Sequence, residues 1–172
     1  WQQSVRSIPF SVLQCSSDFT HKNGMLPNGW GSTSYFANWN AFGDGSTGPW
    51  TRPQNFPQLT DGLSNVLIFA EGYANCNNRQ RRALISSDHY FGLQSNWTSN
   101  TFLFQVQPRI TAYASCPAGQ VCCDDWLIQT PHMVMNIAMA DGSSRSVSGS
   151  ISQQAWTRVL MPRDGQALDS DW

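Results

Sequence analysis

The chain is poor in two charged residue types. Among its 172 residues, Lys22 is the only lysine and Glu71 is the only glutamate. Because both residues are strong helix formers, their scarcity disfavours long solvent-exposed helices and favours strands, turns and irregular loops. The charges nearly balance, with 10 Lys+Arg against 11 Asp+Glu. This balance provides no basic surface for nucleic acid or anionic lipid, so we expect no nucleic-acid partner.

Long hydrophobic runs are also absent. No apolar stretch reaches the roughly 20 residues that are needed to span a bilayer. The chain starts at Trp1 without a recognisable signal peptide, and we therefore expect any targeting or anchoring segment to lie upstream. Its length fits one domain over residues 1–172, with 8 Trp, 9 Phe and 4 Tyr available for a core.

The cysteines favour disulfides over a metal site. The paired Cys-x2-Cys spacing typical of zinc sites does not occur. Cys116 lies close enough in sequence to form a disulfide with either Cys122 or Cys123, which would stabilise the fold by about 2–4 kcal/mol. The remaining member of that cluster has Cys76 or Cys15 as its alternative partner. Five is an odd number, so at least one cysteine is unpaired within the chain.

Local patterns predict an α+β fold that is mostly β, with an antiparallel sheet, turn-rich loops and a short C-terminal helix. The apolar run 66–70 is long enough for a central strand and too short for a helix. The segments 8–15 and 34–42 also have strand character. Residues 151–160 predict an amphipathic helix capped by Ser152. Its expected apolar stripe comprises Ala155, Trp156, Val159 and Leu160.

The most informative segment is the alternating run from His132 to the Asp141-Gly142 turn. Strand alternation places Met133 and Met135 on one face, together with Ile137 and Met139. His132 and Asp141 resemble a catalytic pair, but nine positions along an extended strand separate them by roughly 30 Å. A hydrogen-bonded His/Asp dyad is therefore excluded.

The Asp-Gly turn predicts a β-hairpin in one of two registers. A two-residue loop pairs Met139 with Ser144. A three-residue loop, with Gly142 in the left-handed conformation, pairs Met139 with Ser143. Packing favours the three-residue loop because it places Val147 on the methionine face.

Five segments, in order along the chain, carry a family resemblance. They cover residues 10–18, 33–39, 59–71, 132–145 and 156–172. The segments resemble a large bacterial family with a prepilin-type N-terminal cleavage and methylation segment, a domain of unknown function and a C-terminal His-x9-Asp-Gly signature. The motif residues in this chain are Asp61, Gly62, Ser64, Asn65, Glu71, His132, Asp141 and Gly142.

The chain departs from the family pattern at several positions. Only eight residues separate His132 from Asp141, and Ser16 stands where the family has proline. Ser144 and Ser146 replace residues that are usually apolar, and the usual pattern favours the two-residue hairpin register.

The resemblance implies a pilin-like or pseudopilin-like globular head outside the cytoplasm, at the cell surface, secreted or periplasmic. Expected partners are other pilin-like subunits or surface proteins, and membrane contact is expected only through an N-terminal helix that this chain lacks. We expect no enzymatic activity. A hydrolase using Glu71, His89 or His132 is disfavoured because no serine or cysteine nucleophile motif accompanies the histidines.

An extracellular binding module for a glycan or another small ligand is the alternative function. Exposed aromatic rings would then serve as stacking platforms. The candidate residues are Trp30, Trp39, Trp50 and Trp97. We expect no resident cofactor, with calcium left open because Asp44, Asp124 and Asp125 offer oxygen ligands in a sequence that fits no EF-hand loop.

Overall fold

A five-stranded sheet organises the fold. The computed structural model describes residues 6–42, 55–76, 79–80, 90–91, 104–111, 115–124, 127–168, 170 and 172. The described strands are β1 (Tyr35–Asn38), β2 (Leu67–Glu71), β3 (Asn75–Cys76), β4 (Arg79–Gln80), β5 (Tyr90–Phe91), β6 (Gln105–Val106), β7 (Gln129–Thr130), β8 (Val134–Met139) and β9 (Ser144–Ser148). The sheet has the order β5-β1-β2-β8-β9.

Most of this sheet is antiparallel. The pairs β1–β2, β2–β8 and β8–β9 are antiparallel, and only the edge strand β5 runs parallel to its neighbour β1. Two further pairs, β3–β4 and β6–β7, form separate two-stranded sheets. The predicted class, α+β and mostly β with an antiparallel sheet, is confirmed.

The apolar run 66–70 forms the middle of the sheet, as predicted. Strand β2 starts one residue later, at Leu67, and lies between β1 and β8. Leu67 and Ala70 are buried in the main core. A strand with neighbours on both edges satisfies its backbone donors and acceptors within the sheet, which is why a continuous apolar run suits this position.

Alternation in β8 gives one buried face, with one exception to the prediction. Met135, Ile137 and Met139 are at most 3% exposed. Met133 was expected on the same face, but its side chain is 73% exposed. The strand begins only at Val134, so Met133 lies in the preceding bend and outside the alternation.

The β8–β9 hairpin adopts the three-residue loop. Met139 donates its backbone amide to the Ser143 carbonyl at 2.8 Å, and Gly142 donates to the Met139 carbonyl at 3.0 Å. Gly142 has φ of 86°, the left-handed conformation that this loop requires. Met135 pairs with Val147, whose side chain is buried in the core. Packing of Val147 therefore decides the register against the two-residue alternative.

The predicted C-terminal helix is present. A single helical turn, α1 (Trp39–Phe42), follows β1 where continued strand was expected, and α2 (Gln153–Leu160) is the longer helix. The Ser152 hydroxyl accepts from the Ala155 amide at 3.1 Å and caps α2. The whole expected stripe of α2 is buried, and the Trp156 ring packs 4.9 Å from that of Phe104.

The expected strand over residues 8–15 is not formed. The segment contains a 3₁₀ turn, Ser11–Leu13, and the side chains of Ile8 and Val12 are 46% and 82% exposed. Its apolar residues therefore do not supply the buried face that would fix a strand register.

Two disulfides account for four of the five cysteines. Cys116 pairs with Cys122, and Cys76 pairs with Cys123. Cys15 is free and buried. Disulfides persist in oxidising compartments, so the two bonds indicate an extracytoplasmic environment. Among the described residues, no helix combines the length and apolar character that bilayer crossing requires.

Candidate functional site

Three chemically active side chains from distant parts of the sequence meet at one end of the sheet. They are the free thiol of Cys15, the carboxylate of Glu71 and the imidazole of His132. Their ligand atoms all lie within 4.8 Å of one another. Among the residues that the structure describes, no other group of three or more His, Cys, Asp or Glu side chains has this proximity.

Strand β2 places Glu71 in the cluster. Glu71 is the last residue of β2 and pairs directly with Tyr35 of β1. Its residue is 5% exposed, and Oε2 accepts from the Thr130 hydroxyl at 3.0 Å. Asn136 of β8 donates its side-chain amide to Oε1 at 3.0 Å and its backbone amide to Oε2 at 3.3 Å. Neighbouring strands therefore hold both carboxylate oxygens in place.

His132 lies in the bend between β7 and β8. Its backbone amide donates to the Thr130 hydroxyl at 3.1 Å, which fixes the bend against the same threonine that contacts Glu71. Its Nε2 atom lies 3.5 Å from Oε1 of Glu71. The side chain of His132 is 34% exposed, so solvent reaches the cluster from this side.

Cys15 completes the cluster. Its Sγ lies 3.5 Å from Nε2 of His132, across 117 positions of sequence. The residue is 7% exposed. Tyr35 lies nearby, and burial, followed by Cys15 and Glu71, raises the pKa of its hydroxyl above the ordinary 10.0. The thiol is therefore close to the polar side chains of His132, Glu71 and Tyr35.

The cluster does not have the geometry of a nucleophilic triad. In a Cys-His-carboxylate triad, the thiol and the carboxylate contact opposite nitrogens of the imidazole, because the carboxylate orients the base. Here the thiol and the carboxylate both approach Nε2. Three different donor atoms within 4.8 Å of one another resemble instead the ligand set of a metal ion.

A second polar centre lies just after Cys15 in sequence. The Asp18 side chain is buried, with 3% of the residue exposed. Its Oδ1 accepts from the backbone amide and hydroxyl of Thr20, and its Oδ2 accepts from the Ser34 hydroxyl at 2.7 Å and the Ala74 amide at 2.8 Å. Four donors satisfy this carboxylate, and it therefore acts as a junction between chain segments.

The motif segment 61–65 is hydrogen-bonded to the C-terminal segment through the Asp61 carboxylate. Asp61 accepts from the backbone amides of Asp164 and Gly165 at 3.0 and 3.1 Å. Asn65 donates its side-chain amide to the Asp61 carbonyl, and Gly62 has a left-handed φ of 93°. Ser64 is exposed on the 3₁₀ turn Leu63–Asn65. These contacts are structural, and they are local except for the link to residues 164–165.

The Asp141 side chain, at the other end of β8, bonds only within its own turn, whereas the turn's backbone is tied to the segment before β2: Asp141 donates its amide to the Leu63 carbonyl at 3.1 Å, and Ala140 donates to the Val66 carbonyl at 2.8 Å. Asp141 Oδ1 accepts from the Ser143 amide at 2.8 Å and from the Ser143 hydroxyl at 2.6 Å. The Ser143 hydroxyl, and then the Ser143 amide, lowers the pKa of the Asp141 carboxyl below its ordinary 3.8. Asp141 and His132 flank opposite ends of β8, which agrees with the prediction that they do not form a hydrogen-bonded dyad.

The predicted stacking and calcium residues fall mainly outside this region. The Arg6 guanidinium lies 4.7 Å above the Trp30 ring, which is partly buried. The Trp39 side chain, and residues Trp50 and Trp97, lie outside the described part of the structure, as do His89, Asp44 and Asp125. The backbone of Asp124 bonds to the side chains of Gln105 and Gln129.

The contact between Cys15 and His132 was not predicted from the sequence. The sequence suggested only Asp141 as a partner of His132, and it gave no sign that Glu71 bonds Thr130 and Asn136. One usable signal was the odd cysteine count, which required an unpaired thiol. No protein-family model, curated protein or solved structure matches the chain. Function is therefore inferred from the residues of the chain itself.

Proposed function

We propose that the chain is the non-catalytic globular head of a pilin-like or pseudopilin-like protein of the cell surface or a secretion system. The observation that carries this proposal is that carboxylates in the segments with the family resemblance form long-range hydrogen bonds within the fold. Asp18, Asp61 and Glu71 each accept hydrogen bonds from residues far away in sequence. These residues have a structural role, because their hydrogen bonds join distant segments of the chain.

The environment supports the same proposal. The two disulfides indicate an oxidising compartment, where pilin-like heads operate. The chain has one lysine, one glutamate and nearly balanced charge, which suits packing against other subunits more than electrostatic capture of a charged polymer. The partners we propose are other pilin-like subunits, reached through an N-terminal apolar helix.

The mature protein from the source organism tests this proposal. We expect mass spectrometry to find a processed N-terminus with a methylated first residue, followed by a long apolar helix. The protein should co-purify with sheared surface filaments or with the secretion apparatus. Residues 1–172 exported behind a general secretion signal are the matched control and should stay out of that fraction. A precursor that lacks both the cleavage site and the apolar helix would refute the proposal.

The alternative of a glycan-binding module gains no specific support from the described residues. Trp30 is the one candidate whose ring is described, and Arg6 covers it at 4.7 Å. A sugar that stacked on this face would have to displace the guanidinium. Stacking by Trp39, Trp50 or Trp97 stays a prediction, and binding to a glycan array would revive it.

A further inference from the structure

We propose that Cys15, Glu71 and His132 form a binding site for a zinc-class divalent cation, a site that is independent of the pilin-like assignment. The three residues supply one thiolate sulfur, one carboxylate oxygen and one imidazole nitrogen. This mixture of ligands suits Zn²⁺, which accepts sulfur, nitrogen and oxygen donors in tetrahedral sites.

Two of the ligand-atom distances match such a site. Bonds of about 2.3 Å to sulfur and about 2.0–2.1 Å to nitrogen and oxygen, at tetrahedral angles, separate the ligand atoms by about 3.4–3.6 Å. The Sγ–Nε2 and Nε2–Oε1 distances are both 3.5 Å. Two of the three separations therefore match the spacing of bound ligands, and the third, between Sγ and the carboxylate oxygen, is within 4.8 Å.

Charge also favours a cation at this point. Glu71 is 5% exposed, and among the described residues the basic side chain at ion-pair distance from it is the His132 imidazole, with Nε2 3.5 Å from Oε1. A buried carboxylate and a buried thiolate are costly without a compensating charge. A divalent cation would neutralise both, while the imidazole binds as a neutral ligand. The complete site would then carry no net charge.

A supporting layer of hydrogen bonds fixes the ligands. Asn136 donates its side-chain amide to the Glu71 oxygen nearest His132, and the Ser146 hydroxyl donates to Oδ1 of Asn136 at 2.8 Å. The Thr130 hydroxyl contacts both the Glu71 carboxylate and the His132 backbone. Such outer contacts orient the ligands of metal sites and support their affinity.

Other cations fit the cluster less well. Calcium takes six to eight oxygen ligands, and this cluster offers a single carboxylate. Three protein ligands leave a fourth tetrahedral position, as in zinc sites that hold water or a substrate. The 34% exposure of the His132 side chain gives an ion a path to the cluster from solvent.

Thiol protection tests the site in the unaltered protein. The other four cysteines are in disulfides, so a thiol-alkylating reagent used without reductant reports on Cys15 alone. We expect saturating Zn²⁺ to slow alkylation by roughly tenfold or more, because the metal binds the folded state and occupies the sulfur. Calcium should leave the rate unchanged. Equal rates with and without Zn²⁺ would overturn the proposal.

Thermal unfolding gives a second readout. Zn²⁺ at about 100 times its dissociation constant should raise Tm by about 5 °C or more. Each variant is compared with its own metal-free form, so a general loss of stability does not obscure the result. The zinc-dependent rise should disappear in Cys15→Ser and His132→Gln. It should persist in Asp61→Asn and His21→Gln, which alter a carboxylate and a histidine outside the cluster.

Cobalt(II) identifies the ligands spectroscopically. Bound to the native chain, it should show the visible bands of a tetrahedral site and a sulfur-to-cobalt charge-transfer band in the near ultraviolet. Cys15→Ser should lose the charge-transfer band. A spectrum of octahedral, hexa-aqua cobalt in the native protein would contradict the site, as would a zinc response that survives in both Cys15→Ser and His132→Gln.

Discussion

The two ends of β8 use their conspicuous residues in opposite ways. At the start of the strand, His132 contacts Cys15, which is 117 positions away, and Glu71 of the central strand. At the far end, the side chain of Asp141 bonds Ser143, which is two positions away. At the His132 end side chains join distant segments, whereas at the Asp141 end the side chain acts within its turn and the distant contacts, to Leu63 and Val66, are made by the backbone.

This difference separates two kinds of motif residue. A turn residue acts through the backbone conformation of its neighbours, and its effect is limited to the few hydrogen bonds of the turn. A residue in a buried polar cluster acts through groups that lose their partners when it is removed, and the cost is correspondingly larger. Four predictions, ordered by expected effect, test this separation.

Replacement of Glu71 should have the largest effect. Glu71→Ala leaves both Asn136 amides without their acceptor and leaves the Thr130 hydroxyl only the Val134 carbonyl, at 3.2 Å. We expect the free energy of unfolding to fall by about 3–4 kcal/mol in metal-free solution, measured by chemical denaturation. Glu71→Gln, which keeps one acceptor oxygen, should lose less. Similar losses for Glu71→Ala and Asp141→Ala would erase the contrast between the two ends.

Two glycines provide a matched pair for the same comparison. A Cβ at Gly72, next to Glu71, would lie 1.7 Å from Cε2 of the buried Phe36 ring. A Cβ at Gly142 would meet no atom within 4 Å, and only its φ of 86° opposes substitution. We expect Gly72→Ala to cost about 3 kcal/mol and Gly142→Ala about 1 kcal/mol in denaturation experiments. Gly142→Asn should cost less still, since asparagine tolerates the left-handed conformation. The reverse order would show that the turn is the more constrained end.

Alkaline unfolding tests the buried contact between Tyr73 and Asp18, the carboxylate that follows Cys15 in sequence. Burial, followed by the charge of Asp18, raises the pKa of Tyr73 from 10.0 to about 12. A raised folded-state pKa contributes stability that is fully present below the ordinary value and is lost as pH rises through the folded value. Relative to Tyr73→Phe, the native chain should lose at most about 2 kcal/mol between pH 10 and 12. Tyrosinate absorbance checks the pKa, and parallel stability curves for both proteins would contradict this assignment.

Acid titration at the Asp141 turn should give the smallest effect. The pKa of Asp141 is lowered by its bonds to Ser143, so its contribution is present above the ordinary pKa of 3.8 and is lost as pH falls through the lower folded value. Asp141 is exposed, so Asp141→Ala should change Tm only slightly at neutral pH, and the difference from the native chain should vanish in stronger acid. A large loss of Tm at pH 7 would mean that Asp141 has a role beyond its turn.

Elements with a local physical cause could be predicted from the sequence. The apolar run of β2, the alternation of β8 and the Ser152 cap of α2 each follow from residues within one element. The sequence left the hairpin register open: the packing of Val147 favoured the three-residue loop, which is the one observed, and the usual family pattern favoured the two-residue loop. Local spacing also narrowed the partners of Cys116 to two, of which Cys122 is the one observed.

The cluster at the His132 end could not be predicted in this way. Its members come from three segments whose proximity depends on the pairing of β1, β2 and β8. The segment containing Cys15 was expected to be a strand, whereas it forms a 3₁₀ turn followed by a buried thiol. Met133 likewise left the predicted face because a bend intervenes between His132 and the strand. Tertiary contacts, rather than local periodicity, determine this end of the molecule.

The most direct test of the contrast is the zinc content of the protein after equilibrium dialysis. We predict one zinc ion per native chain and one per Asp141→Ala chain, because the turn holds no ligand. Cys15→Ser and His132→Gln should retain none under the same conditions. A native chain without zinc, or a stoichiometry unchanged in both ligand variants, would contradict the assignment of the His132 end as a metal site.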